Sequence, residues 1–534
     1  MKTSIAAAWS PVRERLGLAT LRREAQSVAQ AVLAASALFC ALLIAGPALA
    51  ANYPLELVSP RAVGTAPASG NAAITAGNRI FKAYPGIEYN IRAVVVGGEY
   101  PYTFSLSNAP SGMTIDSRTG EITWPNPTGG SVTPTITVRD AEGTVRSSPW
   151  TITVTTEGFW FIDAVNGSPS GNGTINSPWR TISNMANASG PRVGDIVYFR
   201  TGTYNVLDMP RTSVGSPWER VEFPESKPNV WIAYPGERPV IDFGFNSSSG
   251  QPGALIRLNG NNVYVDGFET RNTRVIGFQI HAGRYAVFRR LRMRDLNLIR
   301  ANLDGTNSSF IMTMSAYSDS TAGGNESSWG QYLAIQDNEF SNAPVDLALK
   351  IYSQWKLLIE DNYFHDMRYG TELKADMPQF TYRGNRHMRI SGRAIGGNMH
   401  SLTTHGEINF NLVYEPNGEF ALDVNQDGQA KRIDIYRNTF VGRVRVRNTD
   451  SSDGPFRFYN NVIINSDSGT HIYQENVSDR SRIVATDNLT GTLSQNIVDA
   501  TGSLTGQYVQ YLGTRGHELA DVVRPAAPTN VTVQ

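Results

Sequence analysis

The chain has 534 residues, too many for one small module and enough for two to four ordinary domains or one long repetitive one. Lysine plus arginine and aspartate plus glutamate each count 47, so no global charge excess points to nucleic acid or an acidic membrane surface. A single cysteine, Cys40, excludes a disulfide framework and any cysteine-ligated zinc or iron–sulfur centre, while 18% charged residues and 49 glycines favour turns and uncharged strands over surface helices.

Residues 1–50 read as an export signal. Lys2, Arg13, Arg15, Arg22 and Arg23 precede the apolar run 31–50, which ends in Ala48-Leu49-Ala50, a small-residue cleavage pattern. The run is short for a membrane span, and bulky Phe39 before Cys40 argues against a lipid anchor. Removing the segment takes away five basic and two acidic residues, so 42 positive charges face 45 negative ones, a net charge of −3. The expectation is a secreted or periplasmic protein with no membrane span and no thiol.

Residues 51–157 carry short alternating apolar runs separated by Pro/Gly turns, which predicts a β-sandwich. Tyr84-Pro85-Gly86, Gly97-Gly98, Pro101-Tyr102, Gly112-Met113, Thr119-Gly120-Glu121 and Val138-Arg139-Asp140 give the segment a resemblance to immunoglobulin-like domains of bacterial surface and secreted proteins. The resemblance implies a spacer or adhesive unit, and no catalytic constellation stands out within it.

From Phe159 the rhythm changes. The stretch 159–184, with Gly194-Asp195 and Gly202-Thr203-Tyr204, resembles the opening of the pectate-lyase-like right-handed parallel β-helix superfamily, whose members include polysaccharide lyases. An internal repeat supports the same fold on its own. Asn338, Asn362, Asn385, Asn411, Asn438, Asn461 and Asn488 stand in similar phrases at separations of 24, 23, 26, 27, 23 and 27. That is the period of one coil, and asparagine at one bend can stack as an internal amide ladder that tolerates left-handed backbone angles. The expected fold is all-β: a right-handed parallel β-helix over 158–512 behind an N-terminal Ig-like β-sandwich, with 513–534 as a tail or linker.

Equivalent positions on successive coils form columns, so outward-facing residues show where chemistry can sit. Turning Leu347, Leu349 and Ile351 inward sends Lys350 and Tyr352 outward; turning Thr371 and Leu373 inward exposes Glu372 and Lys374. Lys350 and Lys374 each follow their asparagine by 12, which predicts that the two stack. Further along, the column is expected to read Gly397, Asp423, Arg445 and Tyr473, with Arg393 close by and Arg443 and Arg447 beside Arg445.

Cleaving a uronate polymer by β-elimination needs a cation at the sugar carboxylate, a base for the C5 proton and an acid for the departing O4. Stacked lysines would depress each other's pKa and leave one available as base. Arginine clamps carboxylates, which suits Arg393 and Arg445. Tyr352 and Glu372 complete the expected substrate-binding set. The superfamily resemblance implies the same kind of lysine or arginine base. Asp423, Asn425 and Asp427 match the start of a calcium loop, although Asp434 stands where a glutamate is usual, so calcium is an expected cofactor and a polar turn the alternative.

His365, His387, His400 and His405 lack metal-pair spacing. His405-Gly406 and Asn448-Thr449-Asp450 invite comparison with polygalacturonase-type hydrolases, but their order is reversed and the family's other motifs are missing. The sequence therefore predicts an exported polysaccharide lyase acting on an acidic glycan. A non-catalytic glycan-binding or adhesive β-helix, or a glycoside hydrolase on the same fold, is the alternative.

Overall fold

The computed structural model describes residues 53–492, with breaks at 67–72, 210–219, 224–225, 247–250, 253, 282, 297–307, 315–329, 400–404, 416–417, 427–431, 452 and 466–470. The predicted export signal, the 513–534 tail, His400, Asp427 and most of the insertion around 303–329 lie outside the described residues.

The N-terminal part is a set of small, mainly antiparallel sheets. Thr135–Arg139 pairs with Thr103–Ser107 on one side and Val145–Pro149 on the other, and Tyr89–Arg92 pairs with Glu121–Trp124. Alternate residues turn inward, placing Ile122, Trp124, Ile136, Val138 and Trp150 in one apolar cluster, as a half-buried strand requires.

From Phe159–Ile162 onward the chain winds as a right-handed parallel β-helix. One coil consists of His405–Asn409, a bend at Asn411, then Leu412–Tyr414 and Phe420–Gln426, before Ile433–Tyr436 begins the next. These three strand positions stack into what we term sheets A, B and C. Sheets B and C merge because Glu339–Tyr352 and Tyr363–Lys374 run continuously through both. At the N-terminal end, helix α1 (Ile182–Asn187) starts with a reciprocal capping box between Thr181 and Asn184, and its Ile182 and Met185 join the core.

The asparagine bend is the internal ladder the spacing predicted. Asn362 Nδ2 donates to Asn385 Oδ1 (2.9 Å) and to the Ile335 carbonyl (2.8 Å), while the Asn362 backbone N–H also reaches Asn385 Oδ1 (3.0 Å). The pattern runs from Asn338 to Asn488. One detail differs from expectation. The left-handed residue is the one before each asparagine: Asp337, Asp361, Gly384, Phe410, Arg437, Asn460 and Asp487 have φ between 52° and 68°. The asparagine itself is held by its bonds along the stack.

The Ig-like region is docked along sheet A. Tyr285, Tyr332, Ala334 and Leu358 of the β-helix belong to the same apolar cluster as Leu57, Val95 and Phe104. Around them, Lys356 Nζ lies 2.7 Å from both Glu56 oxygens, and Arg92 pairs with Asp337 and Asp361. Arg289 reaches Glu121 at 2.5 Å, and Arg383 donates to Tyr102 Oη and the Val95 carbonyl at 3.0 Å each. Apolar burial drives the docking, and the charges match across it because an unpaired buried ion costs several kcal/mol.

Candidate functional site

Strand register on sheet C defines the outward column directly. Reading coil by coil, Arg257 pairs with Gln279, then Met312, Lys350, Glu372, Gly396, Asp423, Arg445 and Tyr473. Two residues on, a second column carries Tyr352, Lys374, Asn398, Asn425, Arg447 and Glu475.

The predicted lysine stack does not form. Lys350 aligns with Glu372, and Lys374 aligns with Tyr352. The offset arises between Ala343 and Leu347, where three residues oppose one on the next coil. Pro344 sits in that bulge, where its missing N–H does no harm. Counting 12 from each asparagine assumed equal strand lengths and therefore slipped by two. The direct lysine-on-lysine contact on which mutual pKa depression rested is absent.

Lys350 is also less open than expected. Its residue is 1% exposed, beneath Met312 of the preceding coil and beside Tyr352, with Nζ 3.9 Å from Glu372 Oε2. Lys374 is half-buried. The two amines nevertheless share one neighbour, for Lys350 Nζ and Lys374 Nζ lie 5.6 and 5.4 Å from the Tyr352 ring centroid. Lys374 is the amine a ligand on this face can reach.

Gly396, rather than the expected Gly397, occupies the column. A Cβ there would stand 2.2 Å from Arg393 Cδ, so the glycine is the space through which the Arg393 side chain folds back over the sheet. Arg393 fills the gap, 3.6 Å from Glu372 and 3.3 Å from Asp423. Glycine here makes room for a guanidinium.

Asp423 is the hub of the strip. Its carboxylate accepts from Arg445 Nε (2.9 Å) and Arg447 Nε (3.1 Å) in addition to Arg393, and Arg445 continues to Glu475 at 2.8 Å. Burial pushes the Asp423 carboxyl up, but hydrogen bonds from Arg445 and Arg447 outweigh it and hold the group below the usual carboxylate range. Arg445 also lies over the Phe420 ring at 3.7 Å.

This geometry does not suit calcium. Asp423 and Asn425 are alternate residues of a strand, not the turn of a loop. Both Asp423 oxygens are engaged by guanidiniums, and Asn425 Oδ1 accepts from Asn448 Nδ2 at 2.8 Å. Three arginines around one carboxylate make a field that repels a dication. Among the described residues, no cluster of three or more His, Cys, Asp or Glu could hold a metal ion. Asp427, the third residue of the expected set, lies outside the described residues.

His387 and His405 are held by structural contacts. His387 is buried against Phe364, takes part in a 2.8 Å hydrogen bond with Tyr382 Oη, and burial lowers its pKa to about 3. His405 lies 3.2 Å from Glu407. Sequence reasoning missed the reach of Arg447 to Asp423, the end of the strip at Glu475 and its beginning at Arg257, Gln279 and Met312. All three follow from register and from no local motif.

Residues 64–155 match the family described as "Putative Ig domain". The chain is an Ig-like domain followed by a parallel β-helix. No curated protein matches the sequence. Among solved structures, the chain is similar to a rhamnogalacturonan lyase at 14% identity, covering 65% of this chain and 95% of that one with a TM-score of 0.42. It is similar to a family 28 exopolygalacturonase from Yersinia enterocolitica at 12% identity, covering 77% and 97% with a TM-score of 0.38. A GH136 lacto-N-biosidase from Eubacterium ramulus follows at 8% identity, 63% and 68% coverage and a TM-score of 0.31. Among the described residues no helix is long and apolar enough to cross a membrane.

Proposed function

We propose that the protein is exported, in line with the signal-like segment 1–50, and is a polysaccharide lyase that cleaves an acidic, uronate-containing glycan by β-elimination on the outer face of sheet C. The observation that carries this reading is the charge balance of the strip. Lys350, Lys374, Arg393, Arg445 and Arg447 stand against Glu372, Asp423 and Glu475, five cations to three carboxylates within bonded or stacked reach of one another. The protein as a whole has no such excess.

In this reading Arg393 and Arg445 are held in place by Asp423 and present their remaining N–H groups to a sugar carboxylate, favouring the enolate-like charge that develops when C5 loses its proton. Lys374 takes that proton as its C–H bond breaks. The electron pair forms the C4–C5 double bond, the C4–O4 bond breaks, and the Tyr352 hydroxyl protonates the departing O4. Buried Lys350 adds positive potential and fixes Glu372. Calcium has no part in these steps.

The test is ultraviolet absorbance of the new C4–C5 double bond after incubation with pectate, rhamnogalacturonan, alginate and glycosaminoglycan polymers. Absorbance on one polymer with none on its carboxyl-reduced form supports the reading. Binding without absorbance or new reducing ends on every polymer overturns it in favour of a glycan-binding β-helix, and new reducing ends without absorbance overturn it in favour of hydrolysis.

A further inference from the structure

A second site lies away from sheet C, in the seam between the Ig-like domain and sheet A. There a cavity of about 580 Å³ is lined by Arg79, Glu88 and Asn90 of the Ig-like domain and, among β-helix residues, by Tyr198, Arg238 and Arg292. Its size falls within the roughly 300–1,000 Å³ of pockets that hold small molecules.

Three buried polar atoms on its walls have no hydrogen-bond partner: Arg79 Nε, Asn90 Oδ1 and the Tyr198 hydroxyl. Arg79 is 1% exposed and Tyr198 is fully buried. Unmatched groups this deep each cost about 1–3 kcal/mol unless water or a ligand meets them, and they come from two different domains. A polar cavity of this volume can hold water between the domains and exchange it for hydroxyls.

The charges around the cavity are unevenly matched. Glu237 is paired with Arg200, Glu269 with Arg294 and Arg290 with Asp266. Arg238 has no carboxylate within ion-pair reach among the described residues; the hydrogen bond it makes is to the Arg290 carbonyl at 3.4 Å. It is carried on the turn Tyr234–Glu237, closed by Glu237 N–H to the Tyr234 carbonyl at 2.9 Å, with Gly236 at φ 77°. Burial lowers the Arg238 pKa from its ordinary value, with Arg292 and Arg290 adding to the fall and Glu269 and Glu339 opposing it, so a bound anion would favour the charged guanidinium.

We propose that this seam cavity binds an acidic sugar unit, with Arg238 taking the carboxylate and Arg79, Asn90 and Tyr198 taking ring and hydroxyl oxygens. A guanidinium with an open donor edge selects the carboxylate. A hydroxyl, an N–H donor and an amide acceptor on the same walls suit a polyol better than a simple ion. The ligand class is that of the proposed sheet C substrate, but the site rests on its own residues and needs no turnover.

Isothermal calorimetry on the full chain with galacturonate and glucuronate tests it, with galactose as the neutral control. The expected result is binding of a uronate at least tenfold tighter than galactose. Arg238→Gln should weaken it at least tenfold and Tyr198→Phe several-fold. Hydrogen exchange in the intact protein, slowed by uronate at residues 232–238, reads the same site without a variant. Equal binding of galactose, uronate affinity unchanged by Arg238→Gln, or no uronate-dependent protection at 232–238 would overturn the proposal. The absence of unsaturated products on polymers would sink the lyase reading and leave this one standing.

Discussion

Two columns of one β-helix carry similar residues and meet different fates. On sheet A the outward column reads Tyr198, Ile232, Asp266, Arg289, Gln336, Glu360, Arg383 and Asn409. On sheet C it reads Arg257, Gln279, Met312, Lys350, Glu372, Gly396, Asp423 and Arg445. Both place arginines and carboxylates one coil apart. The sheet A guanidiniums are sealed by the Ig-like domain, with Arg289 and Arg383 side chains 1% and 2% exposed; those of Arg393, Arg445 and Arg447 on sheet C keep 17%, 15% and 22%. The lesson is that sequence charge does not distinguish glue from site. What distinguishes them is whether each charge already has a desolvated partner across an interface.

The largest expected effect lies on the sealed side. Arg92→Ala leaves Asp337, Glu360 and Asp361 facing one another without their shared cation, so denaturant unfolding should show a loss of about 3–5 kcal/mol. Next comes the ladder. Asn385→Ala removes the acceptor of the Asn362 backbone and amide N–H groups, and stability should fall by about 2–4 kcal/mol as two buried donors go unmet.

A smaller effect is set by pH. Burial raises the Glu99 carboxyl to about 7 in the seam, against Arg437, which lowers it, and Glu407, which adds to the rise. Because its folded pKa lies above the unfolded one, the folded state holds the proton more tightly. Its contribution is favourable at low pH and is lost as pH rises from about 4.5 to about 7. Melting at pH 5 and pH 8 should differ by an amount of order 1 kcal/mol in this direction, and Glu99→Gln should flatten that part of the profile.

The smallest effect sharpens the open side. Gly396→Ala should push Arg393 off its place between Glu372 and Asp423, raising KM for an acidic glycan several-fold with little change in melting temperature, because the clash is with a flexible side chain.

How much of this was readable in the sequence follows from the range of each signal. The asparagine ladder was legible because its period is local to each coil and repeated seven times, from Asn338 to Asn488. The inward and outward sides of Leu373, Glu372 and Lys374 were legible for the same reason. The pairing of Lys350 was not, since a single bulge at Pro344 moves its partner by two, from Lys374 to Glu372. The docking was invisible because Arg92 and Asp361 are 269 residues apart, and no periodicity links them. Asp423 was picked out for its chemistry, but its full set of guanidiniums was not legible, because Arg393 arrives from the coil before it and Arg445 and Arg447 from the coil after it.

The account turns on Lys374 as the accessible base of the open column. The direct measurement is the rate of unsaturated product formation by Lys374→Ala on the polymer the intact protein cleaves, compared at matched melting temperature. Loss of a general base predicts a fall in kcat of about 10²–10⁴-fold with KM nearly unchanged. A Lys374→Ala protein that cleaves within twofold of the parent would contradict the account.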